Sequence, residues 1–176
     1  MVSDERKGLV MVFTGKGKGK TTAAAGMALR AVGHNLKVFM VHFLKGRDYG
    51  EFLAARYLPR LTIVKAGRDQ FVNPDNPDPV DVELACEGFK RAKEAVMSGE
   101  YDLVVLDEIN VAVDYGLLPL EDLLDLIEKR PPGVDLVLTG RGAAQALIEK
   151  ADLVSEIKEI KHHYTQGIAA RKGIEY

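Results

Sequence analysis

The chain has a single cysteine, no tryptophan and no apolar run approaching the ~20 residues that span a bilayer. A lone thiol cannot close an internal disulfide or hold a structural zinc by itself, so neither staple is available. Cys86 lies among helix formers and is expected as a small core residue. Excess charge of one sign is also scarce, the formal net charge being −2. That balance argues against a surface built to coat nucleic acid. Residues 1–8 form a short charged stretch without the apolar segment of a signal peptide. The expectation is a cytoplasmic protein with neither a membrane nor a nucleic acid as partner.

What is present suffices for a core. At 176 residues, 47% apolar and 28% charged, the sequence reads as one globular domain over 1–176. Apolar runs at 9–13, 37–44, 61–66, 103–106 and 134–139 read as strands, with a sixth at 155–160. Helical patterns fall at 21–32, 49–57, 80–98, 120–129 and 143–150. Such alternation implies an α/β fold with a parallel sheet covered on both faces. Ligands in such folds bind beyond the carboxyl ends of the strands, which singles out the turns at 14–22, 45–50, 107–110 and 139–142. A fifth segment, 67–79, ends in a stretch with Pro74, Pro77 and Pro79 and is long enough to fold over a ligand.

The first turn carries recognisable chemistry. Gly15, Gly17 and Gly19 alternate with Lys16, Lys18 and Lys20, and Thr21 and Thr22 follow. Glycines let the backbone bend around an oxyanion and aim its N–H groups inward. The helix N-terminus adds roughly half a positive charge. Lys20 supplies a point charge for the terminal phosphates of a nucleotide, and the Thr21 hydroxyl is placed to bind magnesium. In the strict phosphate-loop pattern the first glycine would fall at position 14; here it is Gly15. The strand at 103–106 ends in Asp107 and Glu108, where phosphate-loop proteins keep an acid for the metal. Alternation sends these two carboxylates in different directions, and spacing leaves open which one meets the ion.

Several segments together resemble one family, the ATP:corrinoid adenosyltransferases of cobalamin metabolism. They are Gly15-Lys16-Gly17-Lys18-Gly19-Lys20-Thr21-Thr22-Ala23-Ala24, Leu29-Arg30-Ala31-Val32-Gly33-His34, Phe43-Leu44-Lys45-Gly46, Leu106-Asp107-Glu108, Thr139-Gly140-Arg141-Gly142, Ala151-Asp152-Leu153-Val154-Ser155-Glu156 and Lys161-His162, with the terminal stretch 167–176. The displaced glycine is shared by the family. The resemblance implies a three-layer phosphate-loop NTPase-like fold of the recombinase-like type, with a mainly parallel six-stranded sheet. It also implies transfer of the 5′-deoxyadenosyl group of ATP to the cobalt of a reduced corrinoid, leaving triphosphate. A magnesium or manganese ion, a flavoprotein reductase as electron donor and a homodimer come with it. Cob(I)alamin is itself a strong nucleophile, so this reaction needs no serine, cysteine or histidine nucleophile and no general base.

By resemblance, Lys20, Glu108 and Arg141 are the candidate catalytic residues, with Thr21 and Glu108 toward the metal. Binding falls to the loop from Gly15 to Thr22, to Lys45 and to Phe71. Arg141 lies beyond the fifth strand, where it could reach phosphates or stand as a solvated arginine in a turn. Lys45 has the same two readings. Arg30, nine residues past Thr21 and about 13 Å along the helix, falls outside the phosphate site. The family often carries a Phe-x-Trp pair after the third strand, used to remove the lower ligand of cobalt(II). Without tryptophan, Phe71 is the stand-in or else a packing anchor. The stretch before the loop is shorter than in members with an extra covering segment, which implies a reduced lid or one supplied from elsewhere.

The histidines do not suggest cobalt ligation. His42 is expected as a hydrogen-bonded core residue, His34 as a helix terminus and His162 as a cap or surface residue. The charges at 156–161 read as the wet face of an edge strand. Two other functions fit the phosphate loop: a recombinase-like ATPase or kinase that uses Glu108 to activate water or a hydroxyl, and a nucleotide-controlled binding module without turnover.

Overall fold

The computed structural model describes residues 7–176, and the first six positions of the N-terminal stretch lie outside the described residues. Six strands form one parallel sheet: β1 (Val10–Thr14), β2 (Val38–Phe43), β3 (Leu61–Ala66), β4 (Leu103–Asp107), β5 (Asp135–Thr139) and β6 (Leu153–Glu156). Their spatial order is β3-β2-β4-β5-β1-β6, and every neighbouring pair runs parallel. The helices are α1 (Lys20–Gly33), α2 (Gly50–Ala55), α3 (Pro79–Met97), α4 (Ile109–Asp114), α5 (Leu120–Lys129) and α6 (Gln145–Lys150).

Strand alternation divides the core into two layers. On one face Met11, Phe13, Val38, Met40, Leu103, Val105 and Val137 pack with Ala24 and Ala28 of α1. The opposite residues, among them Val12, Phe39, Val41, Val104, Leu106 and Leu138, pack with α3, α5 and α6. β2 and β4 are buried along their whole length, as strands between two helical layers must be. The period of two then places His42 after Met40, Asp107 after Val105 and Thr139 after Val137, all on the face of α1.

Local signals explain the helix ends. Asp78 caps α3 by accepting from the Val80 N–H at 3.1 Å, and Pro79 occupies the first helical position, where no N–H is required. The stripe Ala85, Phe89, Ala92 and Val96 faces the sheet. Cys86 falls off that stripe and is exposed, contrary to the expectation of a core residue.

Other expectations also shift. β6 is Leu153–Glu156 rather than 155–160, because its partner β1 ends there and turns into the phosphate loop. Of the charges at 156–161, only Glu156 belongs to the edge strand. The short helix α4 begins one residue after β4, with only Glu108 between them, which hid it within the reading of the turn at 107–110.

Candidate active site

The loop between β1 and α1 curls around its own lysine. The Lys20 ammonium donates to the carbonyls of Gly15 at 2.8 Å and Gly17 at 2.7 Å. Burial pushes its pKa down, opposed by Glu108 and Asp107 and reinforced by Arg141 and Lys45. Gly15 is in the left-handed region, with φ 97°, and a Cβ there would stand 2.5 Å from the Ile157 carbonyl oxygen. A Cβ on Gly17 would meet the Lys158 backbone at 2.7 Å. The Ile157 carbonyl accepts from the Gly17 N–H at 2.7 Å, and the Ile157 N–H donates to the Thr14 carbonyl at 2.8 Å. These glycines therefore permit close packing on residues 157–158 as well as a concave loop. Lys16, Lys18 and Thr22 are exposed.

Asp107 sits beneath this loop, wholly buried. Its Oδ1 accepts from the hydroxyls of Thr21 at 2.8 Å and Thr139 at 2.7 Å. Its Oδ2 accepts from the Lys45 ammonium at 2.6 Å, which also donates to Thr21 Oγ1 at 3.0 Å. Burial disfavours the Asp107 charge, but Lys45, His42 and the Thr139 hydroxyl outweigh it and hold the carboxyl below its usual range. Burial likewise opposes the Lys45 charge, while Asp107 and more distant Glu108 and Glu51 raise its pKa. The Tyr49 ring lies 5.2 Å from the same ammonium. His42 is buried as expected, and burial keeps its pKa low. It is not the hydrogen-bonded residue expected: its Nε2 has no partner among the described residues, and its Nδ1 lies 3.9 Å from Asp107 Oδ2.

Glu108 takes a different direction. Its backbone is left-handed, φ 63°, and its N–H donates to Thr139 Oγ1 at 3.0 Å. One non-glycine residue in that region is a local strain that the surrounding packing must hold. Leu44, directly before Lys45, shares the conformation at φ 59°. Burial and the Asp107 charge raise the Glu108 pKa, against Lys45, Lys20 and Arg141.

Three clefts meet around these side chains. One of about 180 Å³ is lined by the loop from Lys18 to Thr22, by Lys45, Tyr49 and Glu108, and by Glu175 from the far end of the chain. A second of about 420 Å³ shares Lys45, Tyr49 and Glu108, and adds apolar walls from Leu44, Val72, Val111 and Tyr115. Phe71, fully exposed, stands at this second cleft. Arg141 and Asp114 divide it from a third, of about 1180 Å³, which reaches Thr14 to Lys16. Arg30 is exposed on α1, His34 caps its end, and His162 accepts the Tyr164 N–H at 3.1 Å.

The structure thus brings Lys20, Thr21, Lys45 and Glu108 together, with Arg141 and Phe71 around the adjoining cleft. Sequence reasoning marked the turns that hold Tyr49 and Thr139 without naming either residue, and missed Glu175; spacing left Asp107 and Glu108 open, and the resemblance favoured Glu108 for the metal. Counting alternate residues from Val105 and Val137 would have found Asp107 and Thr139; nothing local announces Glu175. Among the described residues no group of three or more His, Cys, Asp or Glu side chains could hold a metal. The Thr21 hydroxyl and the Asp107 and Glu108 carboxylates nevertheless supply oxygen donors of the kind a hard cation takes.

Comparison with known proteins agrees with this geometry. Residues 6–176 match the family described as ATP:corrinoid adenosyltransferase BtuR/CobO/CobP. The corrinoid adenosyltransferase of Escherichia coli K12 is 37% identical over 176 residues, covering 99% of this chain and 88% of that protein. The Pseudomonas aeruginosa corrinoid adenosyltransferase is 38% identical over 174 residues, covering 98% of this chain and 85% of that one. Among solved structures, a KaiC-like protein of Pyrococcus horikoshii superposes with TM-score 0.53 at 20% identity, covering 88% of this chain and 75% of that chain. The RadB recombinase gives 0.52 at 15% identity, covering 89% and 77%. The fold is therefore of the recombinase-like phosphate-loop type, and the chain belongs to the ATP:corrinoid adenosyltransferase family.

Proposed function

We propose that this protein transfers the 5′-deoxyadenosyl group of ATP to the cobalt of a reduced corrinoid, with one domain over 1–176 carrying both substrates. The observation that carries the reading is the contiguity of two unlike clefts. Lys45, Tyr49 and Glu108 line both the phosphate-loop cleft and a larger one beside it, whose wall mixes Leu44, Val72, Val111 and Tyr115 with Asp114 and Arg141. That arrangement suits a polyphosphate on one side and, on the other, a macrocycle with an apolar face and a polar amide rim.

The cobalt electron pair attacks C5′, the C5′–oxygen bond breaks, and its electron pair leaves on triphosphate. The protein need only align C5′ with cobalt and stabilise the charge that grows on the leaving group. Lys20 and N–H groups of the 15–22 loop other than that of Gly17, which is given to Ile157, meet that charge, and Arg141 adds to it from the rim. When bound, a magnesium or manganese ion would neutralise further phosphate charge, and Thr21, Asp107 and Glu108 are the side chains to hold it. Phe71 would pack on the corrinoid in place of the family's aromatic pair. The proposal extends to a homodimer, a flavoprotein reductase as electron donor and a cytoplasmic setting. No helix among the described residues is long and apolar enough to cross a membrane.

An anaerobic mixture of protein, ATP, magnesium and chemically reduced cobalamin tests the reading. It is expected to develop the light-sensitive spectrum of an alkylcobalamin. A mixture that binds ATP yet leaves the corrinoid unchanged would refute it.

A further inference from the structure

The ammonium of Lys45 occupies a place that chemistry reserves for a metal. The Thr21 hydroxyl gives its proton to Asp107 Oδ1 and receives Lys45 Nζ on a lone pair, at 2.8 and 3.0 Å. Asp107 Oδ2 receives the same ammonium at 2.6 Å. One threonine lone pair and one carboxylate oxygen are the donors a divalent cation would use beside a phosphate. We propose that Lys45 is a built-in stand-in for the divalent cation, holding the Thr21–Asp107 donor pair while the nucleotide is absent and leaving it when a phosphate-bound cation arrives.

Asp107 is wholly buried. Its two hydroxyl partners supply hydrogen bonds but no charge, and a buried carboxylate without a counter-charge is strongly destabilising. His42, the other basic group beside it, stands at 3.9 Å, beyond hydrogen-bond reach, against 2.6 Å for Lys45. Lys45 is therefore the cation that balances Asp107. An ammonium and a divalent ion on the same oxygens would repel at close range, so the two exclude each other.

Lys45 also has somewhere to go. Its stem lines both clefts, and the Tyr49 ring, already 5.2 Å from Nζ, would keep contact with an ammonium that slid off the carboxylate. The left-handed Leu44 directly before it directs the stem at this junction. Displaced from Asp107, the ammonium stays beside the phosphate-loop cleft, where triphosphate would attract it. The cation then enters with the nucleotide rather than ahead of it.

This inference rests on the reading of the 14–22 turn as a phosphate site, but its test does not require adenosyl transfer. Free Mn²⁺ is titrated into nucleotide-free protein and followed by electron paramagnetic resonance. The wild type is expected to bind it weakly, and Lys45→Met to bind one ion about tenfold more tightly or better. Lys45→Gln should behave as Lys45→Met does and serves if the methionine variant fails to fold. Adding Thr21→Val to either variant should remove the gain. Tight single-site binding by the nucleotide-free wild type, or unchanged or weaker affinity in the folded lysine variants, would overturn the proposal. A parallel titration with inorganic triphosphate keeps the failures apart. If triphosphate creates no Mn²⁺ site in the wild type, the phosphate-site reading has failed, whatever the lysine variants do.

Discussion

Glu108 combines a left-handed backbone with a carboxyl whose pKa is raised, first by burial and then by Asp107. A raised folded pKa means that the native state holds its proton where the unfolded chain has lost it. Stability from this group is present below the unfolded pKa and is lost as pH rises through the folded one. Glu108→Gln should therefore raise the melting temperature at pH 7.5, and the gain should shrink as pH falls toward 4. Thermal scans across that range check it; a gain that grows on acidification would contradict the assignment. The same variant should lose adenosyl transfer, most severely at low magnesium, if Glu108 faces the metal. Lys20→Ala should lower the rate by roughly 10²–10³, the scale for removing one group aimed at transition-state charge. Turnover near the wild-type rate would remove Lys20 from the phosphate role. Much at this scale was legible: glycines, Lys20, Thr21 and the acid pair announce themselves by spacing. The burial of Asp107 was recoverable from strand parity. The position of Lys45 against Asp107 was not, because it depends on the register that sets His42 opposite Asp107 across β2 and β4.

Two connections hold the site from the side of β2 and β3. A Cβ on Gly46 would stand 2.5 Å from the Arg68 backbone, and one on Gly67 would stand 2.4 Å from the Lys45 nitrogen. The two loops cross in backbone contact, a closeness only glycine allows. Arg68 then ties the crossing to α3, donating to both Asp81 oxygens at 2.7 and 2.8 Å. Gly67→Ala should cost about 1–3 kcal/mol, as overpacking does, and should impair catalysis more than its loss of stability explains, because the clash falls on Lys45. Denaturant unfolding and turnover measured together would show this, and full activity would contradict it. At this scale the sequence was less informative. The proline-rich excursion at 67–79 was recognised as irregular, yet its anchoring by Arg68 to Asp81 depends on a contact across 13 residues. Helix α4 and the end of β6 were misjudged because each is set by a neighbour rather than by its own periodicity.

Sheet order places the carboxyl ends of β2, β4, β5 and β1 side by side, so Lys45, Asp107, Thr139 and the phosphate loop converge although they span most of the chain. That convergence follows from alternating strands and helices, which is why the fold class was readable from the sequence. The return of the C-terminus was not. Glu175 is clasped by the Arg171 guanidinium and backbone N–H, which lower its pKa to about 2, and it lines the phosphate-loop cleft. Arg171→Ala should loosen this clasp and raise KM for ATP with a smaller change in kcat; steady-state kinetics decide, and an unchanged KM would separate the tail from the site. For the whole molecule, the phosphate loop should serve alkyl transfer to cobalt rather than phosphoryl transfer. Phosphorus magnetic resonance of the anaerobic reaction tests it most directly. Alkyl transfer yields triphosphate equal in amount to the alkylcobalamin formed, and ADP or orthophosphate as the primary product would contradict it.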